Sequence, residues 1–261
     1  MTGLALRLPG RFPRRSRRAP RGDGHFVPVL DHLDELRARI WWCVGLFAAA
    51  FVAWYVQREW LLAALAAPLP AGAPQPVTLS VAEPLLTSIR VSGWAAVGCT
   101  TPIATWHAWR FLAPAVDPSL RTASRVLGAC GVVLAAMGAT FGYFVALEQS
   151  LAFLIGHDAA LYDVQLRASE LYRFSMLVVL ASAMVFQLPL VLIGLVRFGI
   201  VTTAQLRYNR RIGWAFVAVL AVLMPGVDPV LTAVTFVPLL VLWEGTIVVA
   251  RVLERRWRPE S

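Results

Sequence analysis

From Ile40 onward, long apolar stretches alternate with connections that carry the arginines. In hydrocarbon every backbone N–H and C=O must be paired within the chain, and an apolar run of about 20 residues meets that demand as a spanning helix. The spans read as Ile40 to Val56, Leu85 to Trp106, Val126 to Leu147, Leu171 to Val196, Ile212 to Met224 and Val230 to Val249. The fifth is too short for a full crossing. The sixth follows it across Pro225-Gly226-Val227-Asp228-Pro229, which must be a tight turn. Charged residues make up 15% of the chain, against about 25% in a soluble domain. The expected fold class is therefore an all-α integral membrane protein with six transmembrane helices.

Orientation follows from the arginines, since the chain has no lysine. They concentrate before Ile40, in Arg110 to Arg125, in Arg197 to Arg211 and after Val249; only Arg58, Arg90, Arg167 and Arg173 fall elsewhere. The positive-inside rule then places both termini in the cytoplasm. Residues 1–24, rich in Arg, Pro and Gly, cannot bury a core and are expected to be a disordered basic tail. Residues 25–255 form one membrane domain, and 256–261 a short cytoplasmic tail. The tail's Arg-Arg pairs do not make an export signal, because Asp23, Asp31, Asp34 and Glu35 separate them from the first apolar run. Between Gln57 and Glu83, Pro68, Pro70, Pro74 and Pro76 mark a long outer loop.

Nothing in the chain has the spacing of a phosphate-binding loop, a zinc site or a hydrolase nucleophile. No enzyme activity, metal or cofactor is expected. Cys43, Cys99 and Cys130 each lie in an apolar run and read as small apolar residues. His107 and His157 fall near segment ends, where an interfacial role is ordinary. Polar groups at membrane depth are expensive and generally have a partner or a task. Gln187, followed by Pro189, lies mid-way along the fourth span; Glu244 lies in the sixth and Asp228 in the turn before it. Pro189 frees a carbonyl and is expected to kink its helix. The densest cluster is His32-Leu33-Asp34-Glu35-Leu36-Arg37-Ala38-Arg39. It reads equally as an interfacial anchor and as a site where Glu35 accepts a guanidinium.

Residues Asp31 to Arg251 resemble the TatC subunit of the twin-arginine protein translocase. His32-Leu33-Asp34-Glu35-Leu36-Arg37-Ala38-Arg39-Ile40 is similar to that family's His-Leu-x-Glu-Leu-Arg-x-Arg-Leu string. Trp109-Arg110-Phe111-Leu112-Ala113-Pro114 resembles its first inner loop, and Glu83-Pro84-Leu85 the approach to its second helix. Phe141-Gly142-Tyr143-Phe144, Phe186-Gln187-Leu188-Pro189, Gly199 to Arg211 and Pro225 to Asp228 follow in order. The resemblance implies a six-helix cup with short fifth and sixth helices. It implies a receptor in a bacterial-type cytoplasmic membrane that binds twin-arginine signal peptides of folded cargo. It further implies work with single-span TatA- and TatB-like partners, in an oligomeric complex, on the proton gradient. Signal binding falls to Glu35, Arg37, Arg39, Phe111, Pro114, Asp117 and Arg121, the polar position of the cup to Gln187, and partner-helix contact to Pro225, Asp228 and Thr232.

The chain departs from the family at chemically telling places. A second arginine-binding glutamate falls on Leu120, followed by Arg121; Asp117, three residues earlier, could substitute. The fourth-helix glutamate is Gln187, which can hydrogen-bond but cannot carry a proton, and a third-helix proline falls on Glu148. One lost carboxylate removes a contact worth about 1.5–3 kcal/mol, roughly ten- to hundredfold in affinity. Two other readings stay open: an ion-coupled small-molecule transporter, disfavoured by the lack of repeated halves, and a TatC-like scaffold that has lost signal recognition.

Overall fold

The computed structural model describes residues 29–116, 121–157, 161, 165–197, 199–225 and 228–257. The basic tail 1–24 and most of the stretch 256–261 lie outside them. Among the described residues the chain is helical: α1 (Val29–Val56), α2 (Arg58–Ala66), α3 (Glu83–Val116), α4 (Arg121–Phe141), α5 (Glu148–Gly156), α6 (Ala168–Val185), α7 (Leu188–Arg197), α8 (Thr203–Tyr208), α9 (Arg210–Val222) and α10 (Pro229–Trp257). A π-helical turn, Gly142–Leu147, carries α4 into α5. Among the described residues, four stretches are long and apolar enough to cross a membrane: Leu36–Val56, Gly128–Gly156, Ala168–Arg197 and Pro229–Glu254.

Helix α3 has the length but a more polar composition, and several of its hydroxyls are satisfied within the helix, while the buried Ser92 hydroxyl has no partner among the described residues. Ser88 donates to the Pro84 carbonyl at 2.9 Å, Thr101 to Val97 at 2.7 Å and Thr105 to Thr101 at 2.8 Å. This back-bonding makes Ser and Thr tolerable at membrane depth. Helix α9, at 13 residues, is roughly 20 Å long and falls short of a hydrocarbon core of about 30 Å. The sixth helix corrects the expectation that it is short: α10 runs 29 residues, roughly 43 Å. Helix-forming residues continue past Val249, and long arginine side chains can reach out of an apolar layer while the backbone stays helical. Helix α2 was also not expected. Arg58–Ala66 lies wholly before the first proline of the loop, and its Leu and Ala are strong helix formers.

Pro189 interrupts the fourth span as expected. The helix breaks at Phe186–Gln187, where the Gln187 N–H turns to the Met184 carbonyl at 3.0 Å. After α7 the chain reverses at Gly199, whose φ of 72° favours glycine. Its N–H donates to Val196, and that of Ile200 to Leu195, both at 3.0 Å. Thr202 and Gln205 then form a reciprocal cap that starts α8.

Helix α3 lies at the centre, packed on α1, α4 and α6, while α10 packs on α9 and α7. One core joins Ala146, Leu147, Leu151, Leu171 and Val178 with Leu231. A second joins Val217 and Ala221 of α9 with Leu239, Trp243 and Ile247 of α10. Helices α4 and α6 approach closely at Gly138, where a Cβ would lie 2.6 Å from the Ser182 carbonyl oxygen and 2.8 Å from the Ala183 Cα. Helix α1 is peripheral, and none of its described residues is fully buried. Its exposed Trp41, Trp42, Val44 and Val52 would be costly in water and are ordinary against lipid.

Candidate functional site

Helices α1 and α3 run in opposite directions, Arg39 meeting His107 and Trp54 meeting Cys99. Leu36, Arg39, Ile40, Cys43, Val44 and Phe47 recur every three or four residues and so share one face of α1. That face and Thr100, Ala104, His107, Ala108 and Phe111 of α3 enclose a groove of about 540 Å³ at the arginine-rich end of the two helices. Its walls are mainly apolar. Arg39 lies across it, its Nη1 donating to the His107 carbonyl at 3.4 Å. The Thr100 hydroxyl turns back to the Ala96 carbonyl, 2.6 Å away, and so presents little polarity to the groove.

The groove brings together Arg39 and Phe111, both half-buried. Arg37 projects to the surface. Glu35 stands one turn before Arg39 on α1, Pro114 lies in the last turn of α3 and Arg121 opens α4; the side chains of all three lie outside the described residues. Asp117 and Leu120 lie outside them altogether.

Gln187 is separate from this groove. It is buried at the break between α6 and α7, and its Nε2 donates to the Gly131 carbonyl of α4 at 2.8 Å. Its Oε1 has no partner among the described residues. At the far end of α9 and α10, Asp228 and Thr232 line a second groove, of about 610 Å³, with Val222 and Phe236. Asp228 is 2% exposed. Its Oδ1 accepts the Leu231 N–H at 2.6 Å, and Pro229 occupies the first helical position, so Asp228 caps α10. The Thr232 hydroxyl donates to the Asp228 carbonyl at 3.2 Å. Pro225 sits half-buried in the turn between the helices and does not line that groove.

Residues 31–238 match the family described as Sec-independent protein translocase protein (TatC). The chain belongs to the TatC family. It is 33% identical to the Sec-independent protein translocase protein TatC of Deinococcus radiodurans over 239 residues, covering 87% of this chain and 86% of that one. It is 30% identical to TatCd of Bacillus subtilis over 242 residues, covering 89% and 96%. Two crystal structures described as the twin arginine translocase receptor TatC superpose with a TM-score of 0.71, at 26% and 28% identity, and cover 84% and 85% of this chain and 99% and 98% of theirs. The chain is thus a multi-pass membrane protein of a protein-translocation family.

Two carboxylate partnerships in this TatC-family chain were not anticipated. At the N-terminal end of α3, Glu83 is 5% exposed and bonds Arg167 Nε at 2.9 Å and the Leu79 N–H at 2.8 Å. Hydrogen bonds from Ser169, from the Arg167 guanidinium and from Leu79 outweigh its burial and hold its carboxyl well below the usual range, at about 2. Beside it, Val77 forms an isolated bridge with Arg167: its N–H donates to the Leu166 carbonyl and its own carbonyl accepts from the Ala168 N–H, both at 2.8 Å. Glu83 and Arg167 are 84 residues apart, and only the acidic residue before Pro84 hinted at a helix start. In α10, Glu244 accepts from Arg210 and, at 2.8 Å, from Trp214 Nε1. An acid within an apolar run signals a need for a partner without naming it.

Proposed function

We propose that this chain is the receptor subunit of a twin-arginine translocase, binding the twin-arginine signal peptides of folded proteins and passing that cargo across the bacterial cytoplasmic membrane. It does so with TatA- and TatB-like single-span partners and the proton gradient. In this reading six helices form a cup, and both ends of the chain face the cytoplasm.

The observation that carries the reading is the groove between α1 and α3. It begins at Leu36, the residue after Glu35, and its apolar lining suits the apolar part of a signal peptide. Glu35, one turn ahead of Arg39, would meet the signal's arginines at the groove's mouth. A carboxylate prefers arginine there, because a planar guanidinium offers two parallel donors where an ammonium offers a point charge. With Leu120 and Gln187 in place of two family glutamates, recognition rests on Glu35, with Asp117, three residues before Leu120 in the sequence, as the carboxylate that would substitute for the second.

The test is crosslinking of a twin-arginine signal peptide, and of its twin-lysine version, in membranes containing the full chain. Arginine is preferred, and Glu35→Ala lowers binding ten- to hundredfold, which corresponds to the loss of one charge-assisted contact. Unchanged binding to Glu35→Ala would refute the role of Glu35. Capture of neither peptide by folded protein would favour a scaffold.

A further inference from the structure

The short helix α8 ends in Arg207 and Tyr208, and α9 opens with Arg210 and Arg211. On α10, Glu244, Val248, Arg251 and Val252 recur every three or four residues and form one face. These elements enclose a pocket of about 360 Å³ in which Arg207, Arg210 and Arg251 converge over Val248 and Val252. Two carboxylates lie nearby, and both are taken: Glu244 by Arg210 and Trp214, Glu254 by the Thr203 hydroxyl and N–H. Against the four arginines they leave an excess of two positive charges at this corner among the described residues.

The apolar side of the pocket continues beyond it. Val252, Val248, Val241 and Val237 stand exposed along the same side of α10. Trp214 and Tyr208 are exposed at the level of the arginines, as aromatic residues are where hydrocarbon meets headgroups. A soluble anion would use the guanidinium groups and have no use for the valine stripe. A phospholipid uses both.

We propose that the corner formed by α8, α9 and α10 is a binding site for an anionic phospholipid, its phosphodiester held by Arg207, Arg210 and Arg251 and an acyl chain lying along the valines of α10. Guanidinium groups suit the phosphate oxygens, which accept paired N–H donors. The net positive corner selects an anionic lipid over a zwitterionic one, each arginine contributing about fivefold. The site does not depend on the receptor reading, because it lies on a different face from the groove of α1 and α3.

The full chain, purified in detergent, is offered phosphatidylglycerol and phosphatidylcholine in equal amounts, and bound lipid is counted by native mass spectrometry. The wild type retains phosphatidylglycerol preferentially. Arg207→Gln with Arg251→Gln reduces that preference roughly 25-fold, while Arg173→Gln, at the opposite end of the molecule, leaves it unchanged. Equal retention of the two lipids by the wild type overturns the proposal without recourse to any variant. So does an unchanged preference in the double variant. Displacement of the lipid by inorganic phosphate or glycerol phosphate at matching concentration identifies a free-anion site and overturns it too.

Discussion

Gly138→Ala is the sharpest test of the packing between α4 and α6. The added methyl would meet the Ser182 carbonyl oxygen at 2.6 Å, the Phe186 Cβ at 2.7 Å and the Ala183 Cα at 2.8 Å. Carbon contacts are comfortable at about 3.5–4.0 Å, so the helices must part by roughly 1 Å. Two of the three obstructing atoms belong to backbone and cannot swivel aside. Overpacking of this kind costs about 1–3 kcal/mol, and the backbone contacts put Gly138 at the upper end. Alanine also favours a helix over glycine by roughly 0.5–1 kcal/mol, which would mask part of the loss. Gly245→Ala removes that ambiguity: it too lies within a helix, and nothing lies within 4 Å of its Cβ position. The difference between the two variants isolates the steric contribution, about 2–3 kcal/mol. Unfolding in mixed micelles by added SDS, followed by circular dichroism, measures it. Gly138→Ala must unfold at distinctly lower SDS than Gly245→Ala. Variants agreeing to within about 0.5 kcal/mol, the scatter of neutral surface changes, would refute the close approach.

The Glu83–Arg167 clamp predicts an acid dependence of stability. The folded Glu83 carboxyl titrates at about 2, below its ordinary 4.5, so its contribution is complete above about pH 4.5 and is lost as pH falls through about 2. Wild-type stability should therefore fall over that window more than that of Glu83→Gln, and parallel curves would count against the clamp. At the start of α10, Asp228→Ala should cost about 1 kcal/mol through loss of the cap, with Asp228→Ser restoring most of it. Thermal unfolding of the three proteins checks this, and an alanine variant as stable as the serine one would remove the capping role.

Much of the helical layout was legible because its signals are local. The short α9, the break before Pro189 and the helix start at Asp228 each follow from a few adjacent residues. The length of α10 was not legible from hydropathy, since a helix can leave the apolar layer while its arginines cross the boundary. Helix α2 was hidden by the prolines that follow it. For the groove, the His32 to Ile40 string pointed to Arg39, and Trp109 to Pro114 pointed to Phe111. Thr100, Ala104 and Cys43 join them only because α1 and α3 pack in opposite directions, a register no local pattern carries. The pairs Glu83–Arg167 and Arg210–Glu244 were invisible for the same reason. Either partner of each pair is readable as an unusual residue, but the partnership is a property of the fold.

Helix α1 leans chiefly on α3 and has no fully buried residue among those described. One bank of the groove is therefore compliant, and its width can follow the bulk of whatever lies between the two helices. A compliant apolar channel accepts chains of differing side-chain volume with little penalty and discriminates poorly among them. Selectivity in such a channel has to come from the few polar groups fixed at its ends.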